Sequence, residues 1–159
     1  MNRYQDIYPS APLLRSTDIV RPRAADILGL EYFEAEPANM PTLVFAEHHI
    51  LFNLRDEPQR VENWRDGTHR DFTFRKNEVV VTPAGVESGW RWHGKSKCIV
   101  VTILPAALDR FSKQELGLLL GDAQLYDKPQ FEDADLTGAA VMLLDALRDR
   151  RPGYEVMYE

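Results

Sequence analysis

Cysteine is almost absent from this sequence. Cys98 is the single cysteine among 159 residues, so neither an internal disulfide nor a cysteine-based zinc site can form. It lies in the apolar run Cys98-Ile99-Val100-Val101, which predicts a buried and unreactive thiol. No function is predicted for the thiol.

Long apolar segments and an excess of basic residues are also missing. No segment approaches the roughly 18 apolar residues that a membrane-spanning helix needs, and no signal-peptide core follows Met1. The 19 Lys and Arg residues are outnumbered by 25 Asp and Glu residues, which gives a net charge of −6. Such a chain lacks the charge of a nucleic-acid-binding or membrane-surface protein. We therefore predict a cytoplasmic protein that would contact DNA only through another segment.

Residues suited to catalysis or metal binding are few. Of the four histidines, His48 and His49 are adjacent, and on a strand they would point to opposite faces. His69 and His93 lie beside expected turns, whereas a transition-metal site needs three or four convergent ligands. Ser88 has no nucleophile-elbow pattern around it, and no glycine-rich phosphate loop is present. The sequence predicts no catalytic residue, no bound metal and no cofactor.

The sequence does contain a series of short strand-like segments separated by turn residues. These segments cover residues 27–33, 42–54, 59–64, 69–75, 78–82, 86–93 and 96–104. Asp66-Gly67 is a strong hairpin signal between two of them, and Asn77 can adopt the left-handed geometry of another turn. Because strands and helices do not alternate, we predict one mainly β domain folded as an antiparallel sandwich or barrel.

The two ends of the chain depart from this β pattern. Residues 1–16 combine Pro9 and Pro12 with apolar side chains, which predicts an arm that packs on the barrel or closes over a ligand. Pro105 suits the first position of a helix, and Ser112 begins a capping-box pattern, so residues 106–120 form either one bent helix or two pieces. We therefore divide the chain into an arm (1–16), a barrel (17–104) and a helical segment (105–159).

A clearer amphipathic helix is predicted at residues 133–150. Its apolar stripe consists of Leu136, Ala140, Leu143 and Leu147. Residues 154–158 begin one further amphipathic turn at the very end of the sequence, and so short a helix is unstable alone. We expect the natural chain to continue past Glu159.

A ligand site is suggested by polar and aromatic side chains that share strand faces. Ser88, Trp90 and Trp92 are two residues apart, so they lie on the same face of their strand. If this face points inward, they border a cavity with the combination of aromatic and polar side chains that small-ligand sites favour. The predicted ligand-binding residues are His48, Ile50, Phe52, Trp64, Ser88, Trp90 and Trp92. The alternative interpretation is that the tryptophans simply fill the core.

Five segments together resemble a known family in their order and spacing. They are Leu28-Gly29-Leu30-Glu31-Tyr32, Glu47-His48-His49, Asp66-Gly67, Pro83-Ala84-Gly85-Val86 and Trp90-Arg91-Trp92. Over residues 16–159 the chain resembles the N-terminal cupin domain of AraC-type transcription regulators. The resemblance implies a cupin-like double-stranded β-helix, an antiparallel barrel, followed by C-terminal α-helices.

The resemblance also implies a function and leaves two alternative functions open. Such domains sense a small-molecule effector and form homodimers, here through Leu136, Ala140, Leu143 and Leu147, while separate C-terminal helix-turn-helix units bind DNA. Metal-binding cupins carry a histidine shortly after the Pro-x-Gly turn, where this chain has Ser88, and Leu43 occupies another ligand-type position. The rival interpretation is a metal-dependent cupin enzyme of dioxygenase or isomerase type, and a third is a dimerisation domain without a ligand.

Overall fold

The computed structural model describes residues 14–20, 28–117 and 130–149. The strands in this part are β1 (Leu14–Val20), β2 (Leu28–Ala35), β3 (Ala38–Val44), β4 (His48–Asn53), β5 (Gln59–Arg65), β6 (Thr68–Phe74), β7 (Glu78–Thr82), β8 (Glu87–Trp92), β9 (Ser96–Ile103) and β10 (Phe131–Glu132). The helices are α1 (Pro105–Phe111), followed by a π-helical turn (Ser112–Leu116), and α2 (Ala134–Asp149).

The strands pair in a nested order. β2 pairs with β9, β3 with β8, β4 with β7 and β5 with β6, all antiparallel. This is one long antiparallel ribbon rolled up on itself, the arrangement of a jelly roll. The roll forms a six-stranded sheet in the order β1-β2-β9-β4-β7-β10 and a four-stranded sheet in the order β3-β8-β5-β6. The predicted fold class, a cupin-like antiparallel barrel followed by helices, is confirmed.

The first half of the barrel differs from the sequence prediction at two points. The segment predicted as one strand, 42–54, contains the end of β3 and the whole of β4, separated by residues 45–47. Phe45 turns into the core there, and its carbonyl oxygen accepts a hydrogen bond from the amide of Gly85 at 2.9 Å. No proline, glycine or asparagine marks this break, so composition could not reveal it. β1 begins at Leu14, inside the segment predicted to be an arm, whose residues 1–13 lie outside the described part of the chain.

The tight turns follow the sequence signals. Asp66 and Gly67 have φ values of 45° and 73°, the two positive values that a type I′ hairpin turn requires. Asn77 has a φ of 64° in the turn before β7, which confirms its predicted left-handed geometry.

Two apolar clusters lie on opposite faces of the six-stranded sheet. The first fills the space between the sheets and includes Phe33, Leu51, Val61, Phe74, Val80, Trp90, Trp92 and Cys98. The second lies between the six-stranded sheet and α2, and includes Leu30, Tyr32, Phe52, Val79, Val81, Ile99, Val101, Ala140 and Leu144. Because this sheet is buried on both faces, its strands are apolar on both faces as well.

The helical region begins where the sequence indicated. α1 begins with Pro105 at its first turn, as predicted, and it continues directly into the π-helical turn. Ser112 has helical backbone angles and its Oγ donates to the carbonyl oxygen of Asp109, so the described part of this segment is continuous and no new helix begins at this serine. Before α2, Asp133 Oδ1 accepts from the amide of Leu136 at 2.8 Å, which caps the helix. No helix in the described ranges is long and apolar enough to cross a membrane.

Candidate functional site

The predicted ligand-binding residues are distributed over three different surfaces. Ser88, Trp90 and Trp92 lie on β8 and face the space between the sheets. His48, Ile50 and Phe52 lie on β4 and face the other side of the six-stranded sheet, away from the barrel interior. The structure therefore does not bring the seven residues together in one site.

The two tryptophans of β8 are part of the core. Their rings stack on each other with centroids 5.5 Å apart, and Trp92 also contacts the ring of Phe74 at 6.1 Å. Phe72 meets Trp90 edge-on at 6.3 Å. Their inward orientation agrees with the sequence, and most of their surface is used in packing.

The residues predicted on β4 face away from the barrel interior, because the inward positions of this strand are the alternate ones. Phe52 belongs to the cluster under α2, and Ile50 packs against that cluster. The imidazole of His48 is buried, and its Nδ1 accepts from the amide of Ala84 at 3.0 Å. The inward positions of β4 are instead His49 and Leu51. Periodicity could not decide this, because β4 is buried and largely apolar on both faces.

Trp64 lies on the outer face of the four-stranded sheet. Its ring stacks on His69 at 4.7 Å, and the guanidinium of Arg91 lies 5.5 Å from its centroid. Beside it, the carboxylate of Glu62 accepts hydrogen bonds from Nε2 of His93 at 2.8 Å and Nε2 of His69 at 3.1 Å. The hydrogen bond from His93 is the largest influence holding the pKa of Glu62 below its ordinary value. This polar surface is separated from the interior by the sheet itself.

The barrel interior contains a polar group of which only Ser88 was predicted from the sequence. On β5 the inward positions run from apolar Val61 through Asn63 to Arg65. Asn63 Nδ2 donates to the carbonyl oxygen of Gly89 at 2.9 Å and to Ser88 Oγ at 3.2 Å. The hairpin turn at residues 66–67 fixes the pairing of β5 with β6. Because side chains alternate between the two faces of a strand, Asn63 and Arg65 face the same side as apolar Val61, and this spacing was the signal in the sequence.

The same interior end contains residues from the other sheet. Arg65 Nη2 donates to Thr82 Oγ1 at 2.5 Å, and this bond links β5 to β7 across the space between the sheets. Thr82 is paired in register with His49, which is fully inside. We call His49, Asn63, Arg65, Thr82 and Ser88 the polar interior group. Each of the five residues is buried.

His49 is a neutral imidazole in this setting. Burial lowers its pKa from 6.5 to about 3, and the positive charge of Arg65 acts in the same direction. Its ring also meets Phe45 edge-on at 5.5 Å. Arg65 is the one cation of the polar interior group, and the buried carboxylate of Glu31, which has the inward parity of Phe33 on β2, faces the same interior.

These residues do not fit a bound metal ion. Among the chain's four histidines, His49 alone faces the interior, and a guanidinium beside it would repel a divalent cation. Within the described ranges, no three His, Cys, Asp or Glu side chains converge closely enough to hold an ion.

Cys98 is buried in the core cluster, and burial raises the pKa of its thiol to about 12. The thiol is therefore protonated and weakly reactive at neutral pH. This confirms the predicted buried, unreactive thiol.

The apolar stripe predicted for dimerisation is only partly exposed on the surface of α2. Ala140 is 3% exposed and Leu143 packs on the second cluster, so both face the barrel. Leu136 is 38% exposed, and Met142, which the stripe did not include, is 62% exposed. The side chain of Leu147 lies outside what the structure describes.

A scan against protein-family models and a search of the curated proteins found no match. Among solved structures, the chain is similar to an RmlC-like cupin from Shewanella frigidimarina, with 11% identity, 49% of this chain and 67% of that chain covered, and a TM-score of 0.41. It is also similar to the cupin domain of Schizosaccharomyces pombe Cnp3, with 15% identity, 65% and 70% covered, and a TM-score of 0.45.

A third similar structure is the DMSP lyase DddQ from Ruegeria pomeroyi, with 16% identity, 50% of this chain and 40% of that chain covered, and a TM-score of 0.42. At such identities a likeness concerns the fold alone. The class of this protein follows from its own nested strand order, which is that of a cupin-type jelly roll with C-terminal helices.

Proposed function

We propose that this chain is the small-molecule-sensing and dimerisation domain of an AraC-type transcription regulator and that it has no catalytic activity. The effector would bind at the polar interior group, and the protein would act in the cytoplasm as a homodimer. DNA would be contacted by separate helix-turn-helix units, consistent with the net charge of −6 on this chain.

One observation carries the proposal: hydrogen-bonding side chains from both sheets converge inside the barrel. Burying a guanidinium, an amide, two hydroxyls and an imidazole is unfavourable compared with apolar packing. Polar residues in such a place are typical of a recognition site, where a few placed donors and acceptors orient a small ligand. The neutral state of His49 allows its ring to donate through one nitrogen and accept through the other.

Homodimerisation is proposed through the outward face of α2. Met142 is a large exposed apolar side chain on this face, Ala139 lies exposed three residues before it, and Leu136, which is 38% exposed, lies at the flank of the helix towards the barrel. A second copy presenting the same stripe would bury all three residues, as an isologous interface does. This stripe replaces the sequence-based one, of which Ala140 and Leu143 are already used against the barrel.

The sensing proposal is tested by thermal denaturation in the presence of single compounds. The panel would contain sugars, sugar acids, aromatic acids and, after chelator treatment, iron(II), manganese, nickel and zinc ions. We expect at least one organic compound to raise Tm by several degrees at a concentration well above its Kd. A shift produced by a metal ion alone would favour the rival metal-dependent enzyme, and no shift with any organic compound would contradict the proposal.

The dimer is tested by analytical ultracentrifugation of Met142→Glu. We expect the variant to be monomeric at concentrations where the natural chain is dimeric, because a carboxylate within the stripe would be buried unpaired. Phe111→Glu is the matched control, since Phe111 is 47% exposed on α1 and outside the stripe. A monomeric natural chain, or a dimer unaffected by Met142→Glu, would contradict dimerisation through α2.

A further inference from the structure

Two side-chain amides are buried without full hydrogen bonding at the end of the barrel opposite the polar interior group. Among the described residues, Nδ2 of Asn53 and both Nε2 and Oε1 of Gln59 are buried and have no hydrogen-bond partner. Asn53 is completely buried and Gln59 is 7% exposed. Gln59 and Arg65 are the first and last residues of β5, about 20 Å apart along the strand, so these amides are remote from the buried guanidinium.

The unpaired atoms define what could bind to them. The only side-chain hydrogen bond of Asn53 is made by its Oδ1, which accepts from the amide of Arg55 at 3.1 Å. The two NH₂ groups are donors, whereas Oε1 of Gln59 is an acceptor. Since a buried polar atom without a partner is unfavourable, this end of the barrel is complementary to an occupant that supplies both an acceptor and a donor.

A surface groove of about 300 Å³ lies next to these amides, and Ala35, Arg55 and Ser96 contribute to its lining. Arg55 borders both the groove and the buried amide of Gln59. Its Nη1 lies 3.6 Å from the position that a Cβ would take on Gly94, and Oε1 of Gln59 lies 3.5 Å from the same position. Displacement of the Arg55 side chain would therefore open a path from the groove to Gln59.

The contacts that hold the Arg55 side chain lie at the surface. Nη1 donates to the carbonyl oxygen of Lys95, and Nη2 lies 2.7 Å from Oε2 of Glu57. The Glu57 side chain is 75% exposed, and ion pairs in such a position are weak because water screens them. Arg55 can therefore move towards solvent without disturbing the core.

Gly94 leaves the amide of Gln59 uncovered on this side. The φ of Gly94 is not in the left-handed region, and a Cβ would meet its neighbours at ordinary contact distances. Neither the backbone nor the packing of the described residues thus requires a glycine. A methyl group at this position would lie over Oε1 and hinder access to it.

The charged groups around the groove are balanced. They form three pairs: Arg55 with Glu57, Lys95 with Glu36 at 3.1 Å, and Lys97 with its cross-strand neighbour Glu34. With no excess of either sign, the groove favours an uncharged ligand over an ion.

We propose that this end of the barrel binds a small neutral molecule with a carboxamide group, as a second ligand site. The carbonyl oxygen of the ligand would accept from Nε2 of Gln59 and Nδ2 of Asn53, and its N–H would donate to Oε1 of Gln59. The rest of the ligand would lie in the groove, with Arg55 displaced. This inference goes beyond the proposed function, because effector sensing is assigned to the opposite end of the barrel.

The experiment is a ¹H–¹⁵N NMR titration of the natural chain with benzamide as the probe. The side-chain NH₂ resonances of Asn53 and Gln59 should shift saturably. Methyl benzoate keeps the ring and the carbonyl group but has no N–H, and it should bind about 10-fold more weakly or worse. Absence of saturable shifts at the two side chains, or equal binding of methyl benzoate, would overturn the proposal.

Two variants separate recognition from stability. Gln59→Met removes the amide with little change in size, and should weaken benzamide binding by about 10-fold or more. Its Tm should not fall, because the amide that it removes has no partner in the unliganded chain. Unchanged binding, or a Tm several degrees lower, would overturn the proposal.

Gly94→Ala tests access to the amide. It should also weaken benzamide binding by about 10-fold or more, because its methyl group would lie 3.5 Å from Oε1 of Gln59. Gly138→Ala makes the same substitution at an exposed position of α2 and should leave the affinity unchanged. Equal affinities of Gly94→Ala and the natural chain would contradict binding at Gln59.

Discussion

The two ends of the barrel interior differ in chemistry although the same strands build both. Along β5 the inward side chains change from Val61 to Arg65, and along β8 they change from Trp92 to Ser88. The first end is packed mainly by aromatic and aliphatic side chains, with the amides of Gln59 and Asn53 buried beside them, whereas hydrogen bonds between the sheets join the second. The comparison teaches that apolar packing is concentrated at one end of the barrel, while the other contains a hydrogen-bonded group with a buried cation.

The largest effect should come from removing a side chain at the apolar end. Phe74 is fully buried and contacts Trp92, so Phe74→Ala should reduce the free energy of unfolding by about 3–5 kcal/mol, measured by urea denaturation. Phe72→Ala, on the same strand and only partly buried, is the control and should cost clearly less. If the two variants lost the same stability, the apolar end would not be the stabilising half.

A second effect should distinguish the polar end by its response to pH. Because the pKa of His49 falls from 6.5 to about 3 on folding, the unfolded chain binds a proton between these values and the folded chain does not. Stability should therefore fall as the pH drops below 6.5, by up to about 1.4 kcal/mol per pH unit from this residue.

Replacing the imidazole isolates this contribution. The difference in unfolding free energy between His49→Gln and the natural chain should change by about 2 kcal/mol in favour of the variant between pH 6.5 and pH 5, measured by urea denaturation. His69→Gln, at an exposed position on the outer face, is the matched control. A pH-independent difference for His49→Gln would show that the imidazole is not neutral and buried when the chain is folded.

The smallest effect should come from the amide in the polar interior group. Asn63→Ala removes hydrogen bonds to Ser88 and Gly89, and should reduce the free energy of unfolding by about 1–2 kcal/mol. Asn39→Ala removes an exposed hydrogen bond to Arg91 and should cost less than about 0.5 kcal/mol. A loss for Asn63→Ala as large as that for Phe74→Ala would erase the difference between the two ends.

Much of the fold could be predicted from sequence, because turns carry local signals. The hairpin at Asp66-Gly67 and the turn at Asn77 fixed the bounds of β5, β6 and β7 to within about one residue. The break between β3 and β4 has no such signal, since Phe45 is an apolar residue turning inward. At Ser112, continuation of the helix overrode a local capping pattern.

The candidate site was predicted less well, because strand parity gives two faces without saying which is inside. For β8 the aromatic face is the inner one, so Ser88, Trp90 and Trp92 face the interior. At β4 the six-stranded sheet is covered by α2, so both faces of the strand are buried and largely apolar. The prediction therefore named His48, which faces away from the barrel interior, and not His49, which faces into it. Arg65 lies directly before the Asp66-Gly67 turn, and its hydrogen bond to Thr82 of the opposite sheet has no local sequence signal.

The account is tested most directly by titrating the compound that gives the largest thermal shift into the natural chain, Ser88→Val and Thr73→Val. Ser88→Val replaces the hydroxyl in the polar interior group by a methyl group and adds a second methyl, and Thr73→Val replaces a hydroxyl by a methyl at an exposed position of β6. We predict that calorimetry will show at least a 10-fold weaker affinity for Ser88→Val alone. Equal affinities in all three proteins would contradict recognition inside the barrel.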